Sequence, residues 1–254
     1  MSERLVLLHG FTQTGRSWDG VVEALGSQRY TALAPDLRGH GDAGCARPIT
    51  FDALTQDVLA VGGDRFALAG YSMGGRIALH VALAAPARVS RLVLVATTAG
   101  IADEAERAAR LAADTALADR IEQQSIDEVA EAWGAQPLFA GQTPEVRARA
   151  HADRLRNDPR GLATSLRGVG TGAMTPLWDR LTDLTMPVDV VVGAQDLKFT
   201  GLGERLAAAI PSARLTVIAG VGHALPLEAP DEVAGVIDAD VLPGGRAQRR
   251  RESG

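Results

Sequence analysis

The pentapeptide Gly70-Tyr71-Ser72-Met73-Gly74 is the part of this sequence whose residue types and spacing most plainly suggest chemistry. It follows the apolar run Phe66–Ala69 and precedes a helix-like stretch beginning at Gly75. That is the strand–turn–helix setting of a nucleophile elbow, in which the serine sits on a strained turn and larger neighbours would strike the adjoining strand and helix. A serine hydroxyl needs an imidazole to draw its proton, and the imidazole needs a carboxylate to orient it. Asp196 follows the run Val188–Val192, and His223 follows Leu215–Ile218, each in a loop that contains glycine. Taken singly they read as a surface aspartate and a helix-capping histidine. The order serine, acid, histidine is the one this elbow requires, so Ser72, Asp196 and His223 are expected to act as one catalytic set. Charge developing on a substrate oxygen also needs preorganised N–H donors. The elbow supplies the Met73 amide, and the loop His9-Gly10-Phe11 after the run Leu5–Leu8 offers the Phe11 amide.

These residues need strands to position them. Six short runs fit strands buried on both faces of a parallel sheet: Leu5–Leu8, Thr31–Ala34, Phe66–Ala69, Leu92–Ala96, Val188–Val192 and Leu215–Ile218. Helix-like stretches lie between several of them, at Trp18–Leu25, Phe51–Val61, Gly75–Ala84 and Leu202–Ala209. The alternation predicts an α/β fold with a mostly parallel, doubly wound sheet. The rhythm breaks from Ile101 to Trp178, which reads as helices at Asp103–Arg120, Ile126–Trp133, Thr143–Asn157 and Pro159–Gly168. An all-helical insert between two parallel strands is expected to cap the C-terminal edge of the sheet, where ligands bind in such folds. The predicted organisation is one domain: a core of residues 1–100 and 179–242, a helical cap of residues 101–178, and a disordered tail at 243–254.

Composition narrows the function classes. A 254-residue chain that is 46% hydrophobic can bury one sizeable core. Its 26 basic and 31 acidic residues leave a net charge of -5 and no footprint for nucleic acid. No apolar stretch approaches the ~18 residues of a membrane span, and no signal peptide is visible, so a cytoplasmic protein is expected. The single cysteine, Cys45, excludes an intrachain disulfide and reads as incidental. His9 and His40 fall in glycine-rich loops and are expected in structural hydrogen bonds, whereas His80 and His151 fall on predicted helices. No histidine pair has metal-ligand spacing with a carboxylate, so neither a metal nor a cofactor is expected.

His9-Gly10-Phe11, Asp36-Leu37-Arg38-Gly39-His40-Gly41, the elbow continued as Gly75-Arg76, and Gly220-Val221-Gly222-His223 resemble the α/β-hydrolase superfamily over roughly Leu5 to Val241. Within it the chain resembles the 2-succinyl-6-hydroxy-2,4-cyclohexadiene-1-carboxylate synthases of menaquinone biosynthesis. That resemblance rests on Arg76, Glu106–Arg110 with Asp114, Trp133 with Gln136–Phe139, Ser165–Gly172 and Asp196–Phe199. Arg38 stands where proline is usual, and Leu111-Ala112-Ala113 where a further basic residue is frequent. Only eight residues precede His9, so the N-terminal strands common in the superfamily are expected to be missing. The resemblance implies a cofactor-independent carbon–oxygen lyase that takes a proton from a cyclohexene substrate and expels pyruvate. Ser72, paired with His223, would take the proton; Asp196 would hold the imidazole; the two amides would stabilise charge developing on a substrate carboxylate. It also implies a small-molecule polycarboxylate substrate, with Tyr71, Arg76, Arg110, Trp133 and Arg154 as substrate-binding residues.

The arginines can also be read independently of the resemblance. Arginine suits bidentate carboxylate binding, and Arg76 falls in the first turn of a helix, where the macrodipole disfavours a cation by about 0.3–1 kcal/mol. A ligand anion would offset that cost. A surface position or a structural ion pair is the alternative for Arg76, a helix-surface pair with Asp114 at i, i+4 for Arg110, an exposed helix face for Arg154, and core packing for Trp133. A serine hydrolase acting on an ester or thioester could use the same three residues, and a non-catalytic binding module could use the same fold.

Overall fold

The computed structural model describes residues 2–26 and 29–239; the expected tail at 243–254 lies outside them. Six strands form one parallel sheet: β1 (Glu3–Leu8), β2 (Tyr30–Leu33), β3 (Phe66–Tyr71), β4 (Val89–Val95), β5 (Val188–Gly193) and β6 (Ala213–Ile218), in the order β2-β1-β3-β4-β5-β6. Every residue of β3 and β5 is buried, which is why both read as unbroken apolar runs rather than alternating ones. Helices cover both faces. On one side α2 (Phe51–Gly62), α3 (Met73–Ala84) and α8 (Leu197–Ala209) pack on Leu68, Leu92 and Val190. On the other, α1 (Asp19–Leu25) and the C-terminal pair α9 (Leu225–Glu228) and α10 (Pro230–Asp238) pack on Leu7, Val93 and Val191.

Between β4 and β5 lie four helices and no strand: α4 (Glu104–Ile121), α5 (Ile126–Gly134), α6 (Pro144–Arg154) and α7 (Pro159–Val169). Each has a local start signal. The carboxylate of Asp103 accepts from the Glu106 amide at 2.7 Å, Ser125 and Glu128 form a reciprocal capping box, and Thr143 and Asp158 precede prolines at the first helical position. In α7, Leu162, Ser165, Leu166 and Val169 form a buried stripe at helical spacing, with Leu162 and Leu166 packed against Ala118 and Ile121 of α4. The insert is tied to the core through α6. Asp153 accepts from the Thr14 amide and hydroxyl at 2.9 and 2.5 Å, and Asn157 donates to the Thr12 carbonyl at 2.9 Å.

One buried ion pair braces the sheet from behind. The Arg91 guanidinium on β4 donates to Asp189 on β5 at 2.6 and 2.9 Å and to the carbonyls of Val236 and Ile237 at 2.7 and 2.9 Å. It thereby satisfies the last turn of α10, whose carbonyls have no partner within the helix. Both charged side chains are 4% exposed. Arg91→Met leaves Asp189 with only the half-exposed Arg214 and frees the end of α10. The variant is expected to lose about 3–5 kcal/mol of stability in chemical denaturation.

Candidate active site

The elbow forms because two glycines let backbone approach backbone. A Cβ on Gly74 would stand 2.1 Å from the Leu8 carbonyl oxygen, and one on Gly70 would stand 2.4 Å from the Gly74 carbonyl oxygen. Between them Ser72 adopts φ 52 and ψ -106, a conformation that costs a non-glycine residue of order 1–3 kcal/mol. The turn is pinned from three directions: the Ser72 amide donates to the Val95 carbonyl at 2.9 Å, and the Ser72 carbonyl accepts from the Thr97 hydroxyl at 2.7 Å and the Arg76 amide at 3.2 Å.

The structure brings the three distant residues together. His223 Nε2 lies 3.2 Å from Ser72 Oγ, and His223 Nδ1 lies 2.7 Å from Asp196 Oδ2. The loops that carry the acid and the histidine continue the β5–β6 pairing beyond the sheet. The Ala194 amide donates to Ile218 and the Gln195 amide to Val221, both at 2.9 Å. Asp196 caps α8, accepting from the Phe199 amide at 3.2 Å. Its side chain and that of His223 are 4% and 3% exposed. The rings of Phe199, Tyr71 and Phe139 surround the imidazole at centroid distances of 4.4, 5.3 and 6.2 Å, so water is largely excluded there. Among the described residues, neither the Phe11 nor the Met73 amide donates to a protein acceptor. Both residues line the same cavity as Ser72.

That cavity has a volume of about 600 Å³ and opens between the sheet edge and the helical insert. Tyr71, Arg76, Arg110 and Trp133 are on its wall. Arg76 is 7% exposed, and its Nη1 has no hydrogen-bond partner among the described residues. Burial, with the Arg110 charge nearby, pulls its pKa down to about 10. Arg110 is both a wall residue and an ion-pair partner: its Nε donates to Asp114 at 2.7 Å. Asp114 is buried and also accepts from the Gly172 amide at 3.1 Å, so it fixes the arginine from inside. Trp133 meets the Phe11 ring edge-on at 4.9 Å. Arg154 is not on an exposed helix face. It is 3% exposed, its Nε lacks a partner, and its guanidinium stands 5.2 Å from the centre of the Phe139 ring, which is itself part of the wall. Burial lowers the pKa of Arg154 and raises that of Tyr71.

His9 and His40 take structural positions: His9 Nε2 accepts from the Leu37 amide at 2.9 Å, and burial lowers the pKa of both rings. The wall also includes Arg205, which sequence reasoning did not single out, and Glu106 and Lys198, which it named only as carriers of the resemblance. Arg205 stacks on Trp178 at 3.8 Å. Lys198, Leu202 and Arg205 recur at helical spacing on α8, a periodicity that was available as a signal. Among the described residues, no group of three His, Cys, Asp or Glu side chains could hold a metal ion, and no helix is long and apolar enough to cross a membrane.

Comparison with known proteins agrees with this geometry. The alpha/beta hydrolase family profile matches residues 5–236. A Bacillus subtilis (strain 168) protein provisionally named 2-succinyl-6-hydroxy-2,4-cyclohexadiene-1-carboxylate synthase is 35% identical over 90% of this chain and 86% of its own. The synthase of that name from Serratia proteamaculans (strain 568) is 32% identical over 91% of this chain and 89% of its own. Among solved structures, MenH from S. aureus superposes with a TM-score of 0.87 at 32% identity, covering 92% of this chain and 91% of that one. The chain therefore belongs to the alpha/beta hydrolase family, within the group of the 2-succinyl-6-hydroxy-2,4-cyclohexadiene-1-carboxylate synthases.

Proposed function

We propose that this protein eliminates pyruvate from 2-succinyl-5-enolpyruvyl-6-hydroxy-3-cyclohexene-1-carboxylate to give 2-succinyl-6-hydroxy-2,4-cyclohexadiene-1-carboxylate, with Ser72, His223 and Asp196 as its catalytic residues. His223 holds the Ser72 proton through Nε2, so the Ser72 oxygen removes a proton from the substrate ring while the imidazole becomes imidazolium. Asp196, 2.7 Å from Nδ1, orients the ring and balances that charge. The electron pair left on the ring carbon forms a double bond to the neighbouring carbon, the existing ring double bond shifts one position toward the leaving group, and the bond from the ring to the enolpyruvyl oxygen breaks. Pyruvate leaves as its enolate, which takes a proton on its methylene carbon as it ketonises. The Phe11 and Met73 amides stabilise negative charge on a substrate oxygen during proton removal.

The observation that carries this reading over ester hydrolysis is Arg76. A buried guanidinium with a free Nη1 beside the serine is costly unless an anion completes it. A neutral ester supplies none, whereas the proposed substrate carries several carboxylates. Arg110 on the wall belongs to the same anion-binding set, and Arg154, which is not on the wall, supports it with a guanidinium 5.2 Å from the centre of the Phe139 ring. Tyr71 and Trp133 shape the pocket around the ring. A cytoplasmic setting forms part of the same proposal.

The test is direct incubation with the enolpyruvyl substrate, pyruvate being followed by lactate dehydrogenase. Stoichiometric pyruvate, with p-nitrophenyl acetate turned over far more slowly, is the expected result. Rapid ester hydrolysis without pyruvate release would replace the lyase with a serine esterase.

A further inference from the structure

We propose that Glu228 is the positioning residue for His223, holding the loop that carries the imidazole rather than touching substrate. The Glu228 carboxylate accepts from the Gly222 amide through Oε2 at 2.7 Å and from the Ala224 amide through Oε1 at 2.8 Å. These amides flank the histidine on both sides, so one side chain fixes the backbone immediately before and after it. The arrangement is built from sequence. Glu228 ends the short helix α9, whose first turn leaves the Ala224 amide without a partner in the helix, and the carboxylate reaches back to fill it. Gly222 favours the close approach, since a Cβ there would stand 3.1 Å from Glu228 Oε2. Asp196 fixes the ring through Nδ1 but cannot set the height of the loop above Ser72, and that height decides whether Nε2 reaches the hydroxyl at 3.2 Å.

The carboxylate is also joined to the helical insert. Gln142 Nε2, in the loop before α6, donates to Glu228 Oε1 at 3.4 Å, and Arg149 on α6 donates to the Leu227 carbonyl at 3.0 Å. The helices that cover the cavity thus share a hydrogen-bond network with the histidine loop. No other described group bridges the two amides.

This assignment rests on the role given to His223 above, and the experiment separates the two. In full-length protein, Glu228→Ala is expected to lower kcat for pyruvate release about 100-fold, the loss that accompanies an ångström of misplacement, with KM within about twofold of the parent. Glu228→Gln keeps the chain length and one acceptor oxygen, and is expected to fall between the two. The second readout is the low-field proton NMR line of the His223 Nδ1–H shared with Asp196, assigned by its loss in His223→Ala. Broadening of that line in both Glu228 variants is the expected result. A folded variant with unchanged kcat and an unchanged line overturns the assignment, as does a loss confined to KM. If Glu228→Ala does not fold, Glu228→Gln carries both measurements. If the unsubstituted protein releases no pyruvate, the lyase reading falls, and the NMR line still decides the role of Glu228.

Discussion

Replacing Ser72 with alanine is expected to lower pyruvate release about 10²- to 10⁴-fold, the range for loss of a positioned proton-transfer group. His223 Nε2 lies 3.2 Å from Ser72 Oγ, so the substitution removes the hydroxyl that this imidazole activates. Steady-state pyruvate release measures the effect, and a loss of less than about tenfold would exclude Ser72 as the base. Stability should move the other way. Ser72 is held at φ 52 by packing around the elbow, so Ser72→Gly is expected to fold about 1 kcal/mol more stably than the parent while lacking activity. A gain in Tm together with a loss of turnover would identify the turn as strained for the sake of chemistry.

Arg76→Met separates the ligand's contribution from the protein's own. Two charge-assisted bonds to a carboxylate are each worth about 1.5–3 kcal/mol, so kcat/KM for the polycarboxylate should fall about 10²- to 10⁴-fold. Turnover of a small neutral ester, if any is present, should stay the same; an equal fall on both substrates would remove the carboxylate role. In the absence of ligand the sign reverses. The Arg76 pKa lies at about 10, below the ordinary arginine value, so folding disfavours its charged form by roughly 3 kcal/mol. For a base whose folded pKa is depressed, that penalty is present in full below the folded value. It fades only as pH rises through the window between the folded and unfolded values. At neutral pH it is therefore fully present, and methionine removes it. The ligand-free variant is expected to melt roughly 6–12 °C higher by differential scanning calorimetry, and substrate analogues should raise the Tm of the parent but not of the variant.

How much of this was legible in the sequence depended on the kind of signal each residue carries. All six strands were expected because a strand buried on both faces leaves an apolar run, with ends displaced by up to three residues where polar termini such as Glu3 and Ser90 continue the pairing. Helices α4 to α7 were expected because the strand rhythm breaks between Ile101 and Trp178. Helices α9 and α10 went unassigned, because α9 has only four residues and neither helix has a side-chain cap. The helix after Asp196 starts at Leu197, five residues earlier than expected; Leu197 is 82% exposed and gives no periodic signal. The serine, acid and histidine could be named because each follows a strand. The placement of Arg154 could not, since it depends on α6 packing its last turn against the Phe139 ring, a tertiary contact with no local signature. Glu228 was invisible for a similar reason: its partners are backbone amides, which every sequence contains.

The strand order carries a consequence for how the molecule is made. Strands β1 to β4 come from residues 3–95, whereas β5, which completes the pairing along β4, begins only at Val188. During synthesis the first four strands can assemble while residues 96–187 are still emerging, leaving the apolar rim Leu92–Val95 naked until Val188–Val191 arrives. Such an unpaired rim is adhesive toward other chains. Nascent or truncated polypeptides ending within that interval are therefore the species most prone to aggregate. They hold the serine in place but lack both the acid and the histidine, so the hydroxyl gains its partners only when the last third of the polypeptide docks.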